Sequence, residues 1–340
     1  MPLFLAGLLA VAAVSLRARE KEPRIHLAPV MEKGQTIRYR IDTQTSVLGS
    51  TTSPIVNPEG PKKENYSTSL EIRLEVVDAP PAASSASGGA AGARLRVTYD
   101  VADATSSSDA YDPSTAAFDD TYKKLQGRSM EFTMTPEGGI TGITGLEDIF
   151  ENPSVAKSEK AWISSFNYSG GMPKEGIAIG QKWSRQIPAE NLPLRGLLWR
   201  VESTYLRNEN CTPQAPPDTD EPAAEAAAPE RGKPDLCAVI LTESSLSRRG
   251  SSRGDATPDD YAHNGLRTSG TWTATGESLD SLSLKSGWIV VSTETVDEKM
   301  DYEIKSVQSG SALHHTGSVK TQTHIAMLPP APSVPPSQAK

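Results

Sequence analysis

Several groups of residues have types and spacing that could do chemistry. Gly250-Ser251-Ser252-Arg253-Gly254 matches G-x-S-x-G, the strand-to-helix turn that exposes a serine nucleophile in hydrolases. The DATPDDYAHNG that follows does not read as a helix. Asp255, Asp259, Asp260 and His263 crowd into the same loop, whereas triad members come from separate elements. The stretch therefore reads as a Ser/Gly/Arg loop. His314-His315 falls in SGSALHHTG, which also reads as a loop. On a strand the two rings would point to opposite faces and would not chelate one metal. The sequence has no HExxH, no CxxC pair, no EF-hand loop and no phosphate-binding glycine loop, so no metal or cofactor is expected. Asp119-Asp120, Glu147-Asp148, Asp259-Asp260 and Asp297-Glu298 are sequence neighbours. Glycosidase chemistry needs carboxylates that face each other across a cleft. These pairs read as solvated charges.

Aromatic residues are the stronger signal. Trp183, Trp199, Trp272 and Trp288 fall in strand-like segments, and Trp162 does not. They serve as core, or they line an apolar pocket on the concave side of a curved sheet together with Tyr302. Cys211 and Cys237 flank Thr212 to Leu236, a Pro/Ala/acid-rich stretch with six acids and two bases, net −4 against −8 for the chain. Strands pairing at the roots of that insertion would set the two cysteines side by side. The expected disulfide would contribute about 3–4 kcal/mol in the chain-entropy picture.

The elements that must position these residues read as strands. In Leu266 to Ile304, Leu266, Trp272 and Ala274 share one parity; Arg267, Thr271, Thr273 and Glu277 share the other. Lys285-Ser286-Gly287 supplies a turn, and Trp288 to Lys305 continues without Gly or Pro, with Val290, Val296, Met300, Tyr302 and Ile304 in phase. Turns at Val296 to Lys299 would recruit Gly, Asn or Pro, so one long strand is expected there. Ile37, Tyr39, Ile41 and Val47 alternate in Gln35–Leu48. Leu70–Val76 and Leu95–Val101 also alternate and should pair across a Pro/Ala/Ser/Gly loop. Shorter strands are expected at 130–134, 140–143, 179–187, 196–206, 238–246 and 319–327. The helical signal is confined to 146–167. It centres on Val155–Phe166, with Ser154 as a cap.

With 36% hydrophobic residues over 340, the chain suits one β-rich domain over 28–328, with loops at 50–65, 79–93, 212–236 and 247–264. Two-fold pseudo-repetition is suggested by the order of strands and loops. Leu3 to Leu16 has the length of a signal-peptide core, with cleavage expected after Ser15 or Ala18. Arg17 and Arg19 follow the run and no base precedes it, so a short anchor over 1–18 is the alternative. Residues 329–340 read as a disordered Pro-rich tail. The acidic balance, with no Lys/Arg cluster, argues against nucleic acid. Membrane contact is expected only through an uncleaved N-terminal segment. The location implied is periplasmic or extracellular.

Pro173–Trp183 (PKEGIAIGQKW) resembles the P…V-x-x-G-x-x-W element of uncharacterised secreted bacterial β-rich proteins. Gly34–Tyr39 is similar to their first strand, and Gly270-Thr271-Trp272 through Ser286-Gly287-Trp288 to their later hairpin. The resemblance implies a curved antiparallel sheet, loosely like the periplasmic lipoprotein-carrier half-barrels. It carries no established activity and no catalytic residue. The expected fold is mainly β: a half-barrel or open barrel with one short helical region. The expected function is a non-enzymatic envelope protein that binds a lipid or other apolar ligand, or an envelope protein partner. A carboxylate-dependent hydrolase and a scaffold without a pocket are the alternatives.

Overall fold

A computed structural model describes residues 23–52, 61–80, 92–109, 113–136, 138–150, 156–157, 159–160, 163–164, 171–189, 192–211, 235–248 and 254–329. The segments expected as signal peptide and tail, most of the 212–236 insertion and Ser252 lie outside these residues.

Alternation in the sequence becomes two faces of one sheet. β1 (Thr36–Thr52) sets Ile37, Tyr39 and Ile41 opposite Leu74, Ile72 and Leu70 of β2 (Lys62–Asp78). β3 (Ala93–Ser108) continues that face with Leu95 and Val97, and β4 (Ser129–Met134) with Phe132 and Met130. β5 (Ile140–Thr144) ends this meander. The second meander is β6 (Lys182–Pro188), β7 (Leu197–Asn210), β8 (Leu236–Arg248), β9 (Leu266–Ser283), β10 (Ile289–Ser306) and β11 (Ala312–Leu328). β11 pairs antiparallel with β1, giving an eleven-stranded sheet of order β5-β4-β3-β2-β1-β11-β10-β9-β8-β7-β6. β5 and β6 remain edges, so the sheet is not a closed barrel.

The six strands from β3 to β9 through the seam are 16 to 18 residues long. At ~3.3 Å per residue such strands accumulate a large twist, and the sheet curves. The expected pairing of the second and third strands holds, as does the single strand through Asp297-Glu298. Three expectations are corrected. The final strand starts at Ala312, so His314 and His315 lie in it rather than in a loop. Trp288 precedes β10 and sits in the turn. A register shift between Ile289 and Val291 takes Val290 out of phase with Met300, because a bulge inserts one unpaired residue. The strands also run into the expected loops: β1 reaches Thr52 and β2 begins at Lys62.

The inner face is closed at one end of the sheet. There Leu95 and Val76 are essentially inaccessible, each contributing about 1.5–3 kcal/mol by burial. The chain crosses from edge β5 to edge β6, and of the described residues between them Leu146, Ala156 and Ile163 join this core. In this crossing, residues 156–157, 159–160 and 163–164 are helical, within the expected region, while Leu146–Phe150 is a turn. The N-terminal segment packs beside it: Ile25 bridges Ile177, and Leu27 is buried with Tyr205 and Leu282. Two short helices complete the described residues, α1 (Pro113–Lys123) and α2 (Asp259–His263). The outer face carries ion pairs instead, including Arg38–Glu71, Arg73–Asp100 and Arg96–Glu131.

Cys211 and Cys237 form a disulfide, Cα to Cα 5.0 Å, at the root of the β7–β8 connection.

Candidate functional site

The five aromatic residues singled out by sequence separate into three packing groups. Trp288 is 2% exposed, donates from Nε1 to the Val30 carbonyl at 3.0 Å, and belongs to the closed core. It does not line an open surface. Trp183 packs beside Ile177 and Tyr205, and its Nε1 is buried without a partner among the described residues. Trp199, Trp272 and Tyr302 come together at the other end of the sheet, around Leu194, Leu197, Leu246 and Ala274.

Trp272 and Tyr302 are also part of a stack that runs across strands. Register puts Tyr302 opposite Gly270 on β9 and His315 on β11. The Trp272 and Tyr302 rings are 5.7 Å apart and 14° from parallel. Tyr302 and His315 are 4.8 Å apart and 20° from parallel. Glycine is what allows this. A Cβ on Gly270 would sit 2.5 Å from the Tyr302 Cα, so only a bare backbone lets β10 approach so closely. Polar atoms fix the stack at both ends: Trp272 Nε1 donates to Glu298 at 2.8 Å, and His315 Nδ1 lies 3.0 Å from Thr51 Oγ1. Burial raises the Tyr302 phenol above its ordinary range. Burial, then the neighbouring His314, lowers the His315 imidazole.

Beside the stack the inner face stays half-exposed. Val47 opposes Val319, and Met300 opposes Gly317, which itself opposes Gly49. The two glycines leave Met300 facing bare backbone. Toward the closed core the same face becomes Thr43, Thr45, Thr321 and Thr323. α1 flanks this strip: Phe118 packs 4.8 Å from the Tyr66 ring, and Ser106 Oγ donates to Asp119 at 2.8 Å. The residues around Leu194 and Ala256 flank it on the side of β7 to β9. Helix α1 has no counterpart in the sequence reading. Its signals were Pro113 at the first helical position and Phe118 four residues before Tyr122.

Two carboxylates meet on this face, and neither belongs to a pair flagged in the sequence. Asp280 is opposite Ser292, and Glu294 is opposite Ser278, so the acids are diagonal neighbours. Asp280 accepts from Ser292 Oγ at 2.5 Å and Ser278 Oγ at 3.0 Å. Burial raises its pKa against those hydrogen bonds. Burial, then the charge of Asp280, raises Glu294. With both oxygens engaged by hydroxyls, Asp280 acts as a fixed acceptor. His314, on the outer face, pairs with Asp301 at 2.7 Å instead of acting with His315. Among the described residues, no group of three or more His, Cys, Asp or Glu could hold a metal ion.

No family model and no curated protein matches the chain. Among solved structures, a lipovitellin described for its lipid–protein interactions aligns at 10% identity with a TM-score of 0.43; the alignment covers 88% of this chain and 26% of that one. Pseudomonas aeruginosa OccK11 (OpdR) aligns at 8% identity with a TM-score of 0.18, covering 88% of this chain and 98% of that one. The inner-face site is therefore read from its own residues. Among the described residues no helix is long and apolar enough to cross a membrane, and the disulfide is compatible with export.

Proposed function

We propose that this is an exported, non-enzymatic envelope protein that takes up an apolar ligand on the inner face of its curved sheet. The observation that carries the reading is the half-exposed strip of Val47, Val319, Met300 and Ile304 beside the Trp272–Tyr302–His315 stack. Isolated exposed apolar residues are ordinary. An apolar strip beside stacked rings and between two walls is an arrangement that ligand sites use, here bordered by Glu64 opposite Val47 and Glu298 opposite Val319. Trp272 and Tyr302 supply ring surface, Trp199 backs them, and the Ser/Thr band offers hydroxyls to a polar head. Trp183 and Trp288 act as packing residues in this reading. The N-terminal segment is the membrane contact if it is not cleaved.

Mass spectrometry of protein purified from its native envelope tests this. Stoichiometric lipid or another apolar compound is expected. An apolar fluorescent probe, N-phenyl-1-naphthylamine, should be taken up by delipidated protein and displaced by the extracted compound. Met300→Glu should abolish uptake while the protein stays folded. Empty protein that also ignores the probe would sink the reading.

A further inference from the structure

The outer face carries a second, chemically different concavity. It is a groove of about 430 Å³ over the middle of β1 and β11 and the adjoining ends of β2 and β3, within the size range of small-molecule sites. Gln44, Asn65, Ser67, Gln322 and Lys320 line it, and all have outer-face parity. Elsewhere this face is covered by paired charges, such as Arg38–Glu71 and Arg73–Asp100. In the groove the same strands switch to amides and hydroxyls, and among the described lining residues Lys320 is the one that is charged at neutral pH. Ser46 donates to Asn65 at 3.0 Å, and Asn65 reaches Ser107 at 3.5 Å. Among the described residues the side chains of Gln44, Ser67, Gln322 and Lys320 have no protein partner. A groove that served only solvation would have no reason to lose the ion-pair ladder found elsewhere on its face.

We infer that this groove binds an acidic saccharide. The lining offers both donors and acceptors, which suits a ligand dense in hydroxyls. It has no outward-facing ring on which a nucleobase could stack, because Tyr66 turns its ring to Phe118 on the other face. It has no apolar floor for a lipid tail. Lys320 faces Asp297 across the β10–β11 pairing without an ion pair between them, so its ammonium is left to complement a carboxylate or sulfate on the sugar. The site is independent of the inner-face strip.

Titration of isotope-labelled full chain, followed by NMR, tests the inference. The probes are trigalacturonate, an N-acetylmuramate-containing disaccharide and a sulfated disaccharide, with galactotriose as the neutral control. At least one acidic probe should move the side-chain amide signals of Gln44, Asn65 and Gln322 saturably. Affinity should fall at least tenfold for galactotriose and in Lys320→Gln, whose exposed position leaves folding intact. Failure of all three acidic probes, shifts confined to the inner face, or equal binding of the neutral trimer would overturn it. Loss of inner-face probe uptake with these shifts retained would count only against the apolar-ligand reading.

Discussion

His315 and Asp280 lie on one face yet respond to acid in opposite directions. Burial holds the His315 imidazole below its ordinary value, so the folded chain resists a proton that the unfolded chain accepts. Stability from this site is present above about pH 6.5 and is lost as pH falls through that value. Asp280 is displaced upward, so its ionised form is carried at a cost in the folded chain at neutral pH. That cost is relieved as pH falls toward the ordinary carboxylate range. His315→Phe should therefore flatten the melting temperature between pH 7 and 5.5, since a phenyl ring keeps the stack on Tyr302. Asp280→Asn should raise the melting temperature at pH 7, with the gain shrinking toward pH 4. Calorimetric scans across that range check both; a gain at Asp280→Asn that does not change with pH would show that the carboxylate's charge is not what costs stability.

At the scale of elements, the sequence's alternation was enough to find most of the sheet, because each strand buries one face against the core and wets the other. β10 shows this well. No turn residue interrupts Val296–Lys299, and the strand runs from Ile289 to Ser306 without reversal. What alternation could not reveal was local. The bulge before Val291 changes phase without changing composition. The Gly/Ser content of SGSALHHTG looks like a loop, yet Gly317 is in the strand, facing Gly49 across the seam. The site was half legible: Trp272 and Tyr302 were singled out, but His315 joins them only through a cross-strand register that no local pattern encodes. The Asp280–Glu294 pair is hidden for the same reason. Met300→Asp should destabilise by about 2 kcal/mol or more, since it puts a charge on the inner strip. Glu303→Ala should stay within about 0.5 kcal/mol of neutral. Gly270→Ala should cost more than an ordinary surface change, because its φ of 130° and the backbone of Asp301 and Tyr302 leave no room for a Cβ. Urea titrations of the three variants rank them; equal losses at Met300 and Glu303 would refute the assignment of faces.

At the scale of the whole molecule, two meanders are joined at one seam and capped at one end. The seam is β1 against β11, where Arg38 meets Leu328 across most of the chain. Contacts so distant in sequence form slowly, so the closed end must hold the halves while the seam stands. Trp288 is the residue best placed to do this. It lies in the β9–β10 turn of the second meander, yet it packs with Ile37, Leu74 and Phe132 of the first and donates to Val30 of the N-terminal segment. Gly287 beside it has no room for a side chain, since a Cβ would lie 2.1 Å from the Ala28 carbonyl oxygen. Trp288→Ala should therefore cost about 3–5 kcal/mol, the scale for emptying a buried tryptophan site. The loss should appear in both halves together. In a Trp162→Phe background the remaining tryptophans, Trp183, Trp199 and Trp272, all report on the second meander, while far-UV circular dichroism reports on the whole sheet. In urea the two signals should shift to the same lower midpoint with unchanged slope. If the fluorescence transition separated from the dichroism transition, the meanders would be unfolding as independent units, and Trp288 would not be what joins them.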